Sequence, residues 1–219
     1  MRVLLLGKKR EDPFFQRALD FSSANLPDLK IILAEPGQNL PQEVRDWHGD
    51  LLISYLCPWV IPADVLKNAR FASINFHPAP PEFPGTGCTN FAIYQEVTSY
   101  GVTCHHMAEV VDSGAIIAVR RFDVTPQDTV YSLTQRCYAY MLVLYFDIIS
   151  MLLRGEPLPQ SPETWTRKAY RRKELNDLKR LTLDMPMDEI RRRVKASAYP
   201  GTPGAYFVID GLRFEYHPD

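Results

Sequence analysis

Apolar residues in the first third of the chain come in short runs separated by amphipathic stretches. Residues 2–6, 30–34, 50–55 and 72–76 are rich in Val, Ile and Leu, and near-continuous apolar runs of this length suit strands buried on both faces. Between them, residues 13–25, 41–47 and 62–68 read as helices, each opening on a proline that a first helical turn tolerates. This alternation predicts βαβ units and a doubly wound α/β core with a mostly parallel sheet, Rossmann-like in outline. Such sheets take ligands beyond the carboxyl ends of their strands, so chemistry is expected after Tyr55 and Phe76.

Residues 101–107 and 115–124 read as two more strands. Residues 129–154 read as one long helix, apolar through its middle and therefore buried. A Pro-rich break at residues 155–162 divides the chain into a catalytic core, residues 1–155, and an appendage, residues 156–219, of short helix and β-hairpin. The hairpin strands, residues 206–209 and 212–216, flank Asp210-Gly211, a dipeptide favoured in two-residue turns. Its apolar, open edge offers a place for a second copy to pair, giving a homodimer.

Composition narrows the classes. A chain of 219 residues can bury a sizeable core. Cys57, Cys88, Cys104 and Cys137 never form a close pair, which points to reduced thiols in a cytoplasmic protein and away from zinc or disulfides. The apolar start gives way at once to Lys8, Lys9 and Arg10, unlike a signal peptide or a membrane span. A net charge of -1 argues against a general nucleic-acid surface. Positive charge is nevertheless concentrated between residues 167 and 195, where eleven Lys or Arg face five Asp or Glu. That segment reads either as the solvated face of two short helices or as a contact for substrate phosphates, whose geometry Arg matches. Gly7-Lys8-Lys9-Arg10 is not a Gly-rich phosphate cradle, and neither a Walker-type loop nor a dinucleotide fingerprint occurs.

Asn75 and His77, two apart at a strand end, point to the same side and can act on one atom. Asp112 lies in the loop between the next two strands, where a carboxylate can pair with the imidazole. An amide donor for a developing oxyanion, a group titrating near neutral pH and a carboxylate to orient it suit acyl transfer to an amine. His105 and His106 sit on one strand and face opposite ways, one toward the site; without further ligands at metal spacing they read as packed or hydrogen-bonded. His217 reads as a surface residue.

The order Ser73-Ile74-Asn75-Phe76-His77-Pro78, then Gly85, then Gly101-Val102-Thr103-Cys104-His105, then Asp112-Ser113-Gly114 resembles the formyltransferase family, in outline most like sugar N-formyltransferases. The resemblance covers roughly residues 1–153 and continues faintly into residues 199–207. It implies that Asn75, His77 and Asp112 are catalytic and that 10-formyltetrahydrofolate is the co-substrate. It also implies that residues 54–62 line the folate pocket, with Trp59, Val60, Ile61, Val110, Val111 and Asp112 holding the pterin largely through backbone groups. Relatives usually read His-Pro-Ser-Leu-Leu-Pro before an Arg-Gly pair. Here residues 77–85 are one residue shorter and lack the Ser and the Arg. Four prolines should stiffen this loop, so Pro80 and Gly85 are expected to shape an altered acceptor site. Tyr170, Tyr199 and Tyr206 could stack a base or pack in the core, and Tyr170 is the one assigned to substrate.

These observations imply formyl transfer to a primary amine, most fittingly that of a nucleotide-linked amino sugar. The tail lacks the length of the β domain that methionyl-tRNA formyltransferase adds for its substrate. Alternatives within reach are a formyl-folate hydrolase, a non-catalytic folate or nucleotide binder, and a transformylase acting on glycinamide ribonucleotide or an aminoacyl group. No metal, nucleic acid or membrane partner is expected.

Overall fold

A single six-stranded sheet organises the chain. In the computed structural model, which describes residues 1–35 and 37–217, its strands are β1 (Arg2–Lys8), β2 (Asp28–Ala34), β3 (Gly49–Tyr55), β4 (Ala69–His77), β5 (Ser99–His106) and β6 (Ile116–Asp123). They lie in the order β2-β1-β3-β4-β5-β6. The pairings among β2, β1, β3 and β4 are parallel; β5 and β6 run antiparallel to their neighbours. The α/β core with a mostly parallel sheet is therefore as the sequence predicts.

Successive residues of β1 serve opposite faces. Val3 and Leu5 join Leu51, Ile53 and Ile74 beneath α1 (Pro13–Asn25) and α5 (Val130–Leu153). Leu4 and Leu6 join Leu52, Val44, Trp47 and Val65 on the other face, beneath the single turns α2 (Gln42–Arg45) and α3 (Ala63–Leu66). Each fully buried Leu or Ile contributes roughly 1.5–3 kcal/mol of burial energy. Residues 41–47 and 62–68 thus hold only one helical turn each, shorter than expected. Both turns pack tightly enough to cover the sheet. The turns begin after Pro41 and Pro62, which act as N-caps.

Helix α5 is long and apolar enough, by composition, to cross a membrane. One face of it is instead spent on the sheet: Leu133, Cys137, Met141, Tyr145 and Ile148 are all buried. The helix opens on a capping box between Thr129 and Ser132, and Tyr145 shares a 2.6 Å hydrogen bond with Ser22 of α1.

Helix α4 (Cys88–Tyr94) has no counterpart among the expected elements. It is seven residues long and begins after Gly87 in a left-handed conformation, so it shows too little of a period to be read from the sequence. After α5 the chain returns as an extended strap, residues 154–171, then forms α6 (Arg172–Lys179), α7 (Met187–Ser197) and the hairpin β7 (Tyr206–Ile209) and β8 (Leu212–Glu215). Val208, Leu212 and Phe214 of the hairpin are exposed. By contrast Tyr170, Leu175, Leu178 and Ala196 share one buried cluster with α4, α5 and the sheet.

The strap is laced to the loop after β4. The N–H groups of Thr166 and Tyr170 donate to the carbonyls of Pro81 and Pro84, and the Thr86 N–H donates to Tyr170 O. Gly85 lies at this crossing with φ 88°, and a Cβ there would sit 2.4 Å from Tyr170 O. Gly85→Ala should therefore cost about 1–3 kcal/mol, measured as a lowered urea midpoint. An unchanged midpoint would show that the strap does not clamp this loop.

Candidate active site

The end of β4 delivers Asn75 and His77 to one side of the sheet, and register supplies a partner. Asn75 pairs across the antiparallel ladder with His105 of β5. Their side chains meet, Asn75 Nδ2 lying 3.0 Å from His105 Nε2. Of the two histidines left open by the sequence, His105 is thus the one that faces the site, and it is almost fully buried. His106 turns away and is half-buried. Burial, and then the nearby His105, hold its pKa below the ordinary histidine value.

Asp112 enters from the loop between β5 and β6 with φ 46°, a left-handed conformation that a non-glycine residue adopts only when its surroundings enforce it. Its Oδ2 lies 3.4 Å from His77 Nδ1 and accepts a 2.7 Å hydrogen bond from the Gly85 N–H; its Oδ1 lies 3.3 Å from His105 Nε2. Burial works to raise the Asp112 pKa. The charge of His77, the hydrogen bond and charge of His105 and the Gly85 N–H together outweigh burial, leaving the carboxyl well below the usual carboxylate range. The other nitrogen of His77, Nε2, lies 3.0 Å from the Phe83 carbonyl, and His105 Nδ1 donates to His106 O at 2.8 Å. Both nitrogens of His77 therefore face oxygen atoms.

A cavity of about 410 Å³ opens in front of this cluster. Asn75, His77, His105 and Asp112 form one part of its lining; Ser54 and residues 56–61 form another; Gly85, Thr86 and Arg172 also line it. Among the described residues no group of three or more His, Cys, Asp or Glu is placed to hold a metal ion.

The expected site residues divide accordingly. Asn75, His77 and Asp112 come together, and Trp59, Val60, Ile61, Val111 and Gly85 line the same cavity. Trp59 also donates its indole N–H to Gln38 O. Three other expected residues are absent from the cavity lining. Val110 does not line the cavity: it is 65% exposed, on the outer side of the loop that carries Asp112. Pro80 is buried under the loop, away from the cavity, its carbonyl accepting from the Phe83 N–H. Tyr170 stacks on Phe91 with ring centroids 3.8 Å apart, and its hydroxyl accepts from Gln95, so the ring serves the core and cannot meet a substrate base. Arg172, two residues on, lines the cavity in its stead.

A family profile described as Formyl transferase matches residues 33–146. The GDP-perosamine N-formyltransferase of Brucella melitensis biotype 1 is 30% identical over 164 residues, covering 74% of this chain and 62% of that protein. The chain spans between 56% and 66% of the length of that enzyme and of two methionyl-tRNA formyltransferases that it also matches. Among solved structures, a sugar N-formyltransferase from Shewanella sp FDAARGOS_354 superposes with a TM-score of 0.78 at 18% identity, covering 100% of this chain and 97% of that one. WlaRD, a sugar 3N-formyl transferase in the presence of dTDP and 5-N-formyl-THF, superposes with a TM-score of 0.72 at 16% identity, covering 96% and 83%.

The depressed Asp112 pKa carries a consequence for stability. A carboxyl with a lower pKa folded than unfolded stabilises the fold fully above its unfolded value, about 3.9, and that contribution is lost as pH falls toward the folded value. The stability difference between wild type and Asp112→Asn should therefore be constant near neutrality and shrink below about pH 4, measured by denaturant unfolding at stepped pH. A difference that does not change with acid would show that Asp112 is not held ionised by its neighbours.

Proposed function

The chain belongs to the formyl transferase family, and from that premise we propose that it moves a formyl group from 10-formyltetrahydrofolate to the primary amine of a nucleotide-linked amino sugar. The observation that carries the reaction is the convergence of Asn75, His77 and Asp112 on one cavity. WlaRD, which shares this fold and was solved in the presence of dTDP and 5-N-formyl-THF, supports both substrates. Exposed apolar side chains on the β7–β8 hairpin support pairing of two copies there, and four unpaired cysteines accord with a cytoplasmic setting.

The residues present fit the donor. Residues 56–61 offer an apolar wall with backbone polar groups suited to a flat heterocycle, close to the catalytic cluster. The formyl-folate supplies an activated formyl group. Asn75 donates to the formyl oxygen as negative charge develops on it. Its NH₂ group carries two N–H donors: one meets His105 Nε2 and the other is left for the formyl oxygen. His77 takes up the amine proton at Nε2 after the Phe83 carbonyl contact gives way to the amine, and passes that proton to the folate nitrogen as the bond from that nitrogen to the formyl carbon breaks. Asp112, already ionised, orients the ring through Nδ1 and stabilises its charged form.

Arg172 supports a phosphorylated acceptor. It is the one Lys or Arg on the cavity lining and makes no ion pair among the described residues. A guanidinium matches phosphate geometry and cannot be neutralised near neutral pH.

With formyl-folate and a panel of amino-sugar nucleotides, His77→Asn should lower transfer by about 10²–10⁴-fold. Equal rates in variant and wild type, or formate release that needs no amine, would overturn the proposal. Arg172→Ala should raise the acceptor KM on the order of tenfold and leave the folate KM unchanged. A rise confined to folate would place Arg172 on the donor's carboxylates instead.

A further inference from the structure

One side chain of the strap touches the cluster of His77, His105 and Asp112. The Trp165 ring meets His105 edge-on, with centroids 5.0 Å apart and planes at 88°, and meets His77 at 6.0 Å and 67°. Its indole N–H donates to Gly114 O at 2.8 Å. Gly114 lies two residues beyond Asp112, in a place so tight that a Cβ would fall 1.9 Å from His106 O. Trp165 does not line the cavity. It packs against both imidazoles and is tied to the loop that presents the carboxylate.

The strap fixes the indole on both sides. The Ser161 N–H donates to Ile116 O of β6 and the Thr166 N–H to Pro81 O. Glu163 pairs with Arg121, which also pairs with Glu82 of the loop after β4. A ring anchored in this way cannot drift without pulling on the sheet edge and on the loop that supplies Phe83 O and Gly85 N–H.

We propose that Trp165 is a positioning residue for the transfer reaction. Its ring sets the tilt of His77 and His105, its N–H sets the height of the Asp112 loop, and its bulk keeps water from contacts that weaken as the local dielectric rises. Small displacements at a reacting centre carry large rate penalties, up to about 10²-fold for 1 Å. The kinetic part of this inference rests on the proposed formyl transfer; the ring arrangement does not.

The test compares wild type, Trp165→Ala and Trp165→Phe. Trp165→Ala should lower kcat by about 10–100-fold with the KM of donor and acceptor little changed. Trp165→Phe, which keeps a ring but loses the donor to Gly114, should recover part of the loss. Side-chain NMR without substrate supplies the second readout. The ring protons of His77 and His105 should shift in Trp165→Ala through loss of the indole ring current, and those of His48 and His217 should not. An unchanged kcat, or a loss expressed in KM, overturns the positioning role, and Trp165→Phe decides it alone if the alanine variant fails to fold. Should wild type transfer no formyl group, the proposed reaction fails. The histidine resonances then judge the ring arrangement, and absent shifts would sink that as well.

Discussion

A carboxylate buried as deeply as that of Asp112 is costly unless hydrogen bonds and positive charge come to it, and here its partners arrive from three separate stretches of chain. His77 stands at the end of β4, His105 on β5, and the Gly85 N–H in the loop between β4 and α4. None of these can be displaced alone without leaving the charge under-served. The strained backbone of Asp112 and the close fit of Gly114 are the local cost of bringing the acid to its partners rather than the reverse.

The sheet makes that convergence possible by changing direction. Its parallel half, buried on both faces, is a stiff platform whose strands all end on the same side as the cavity. Where β5 enters antiparallel, it sets His105 directly across from Asn75. Two chemically different groups thus become neighbours through ladder register. The loop after β4, made rigid by its prolines, then brings a carbonyl and an N–H to the same cluster.

The apolar runs of β1 to β4 and the length of α5 were legible because burial on both faces leaves little room for other residue types. The trio was legible because Asn75 and His77 share a strand's period and Asp112 falls in a marked loop. What escaped the sequence depended on tertiary pairing. His105 could have been chosen over His106 only from the antiparallel register against Asn75. Tyr170 looked free to stack a base because nothing local shows that Phe91 stacks on it. Trp165 carries no local signal at all, since it lies in an extended segment some fifty residues from the Gly114 carbonyl that it binds.

The strap also bears on the order in which the protein can be made. A chain emerging from synthesis forms its amino-terminal strands first, yet the loop that presents Phe83 O and Gly85 N–H is also tied to residues 166–170. Platform and helices can therefore assemble while the cluster around Asp112 still lacks the contacts that the strap brings. Closure waits on contacts between segments about eighty residues apart, a long-range step of the kind that slows folding. In the nascent chain, the final geometry of this cluster is thus a late event, set by the arrival of a distant stretch.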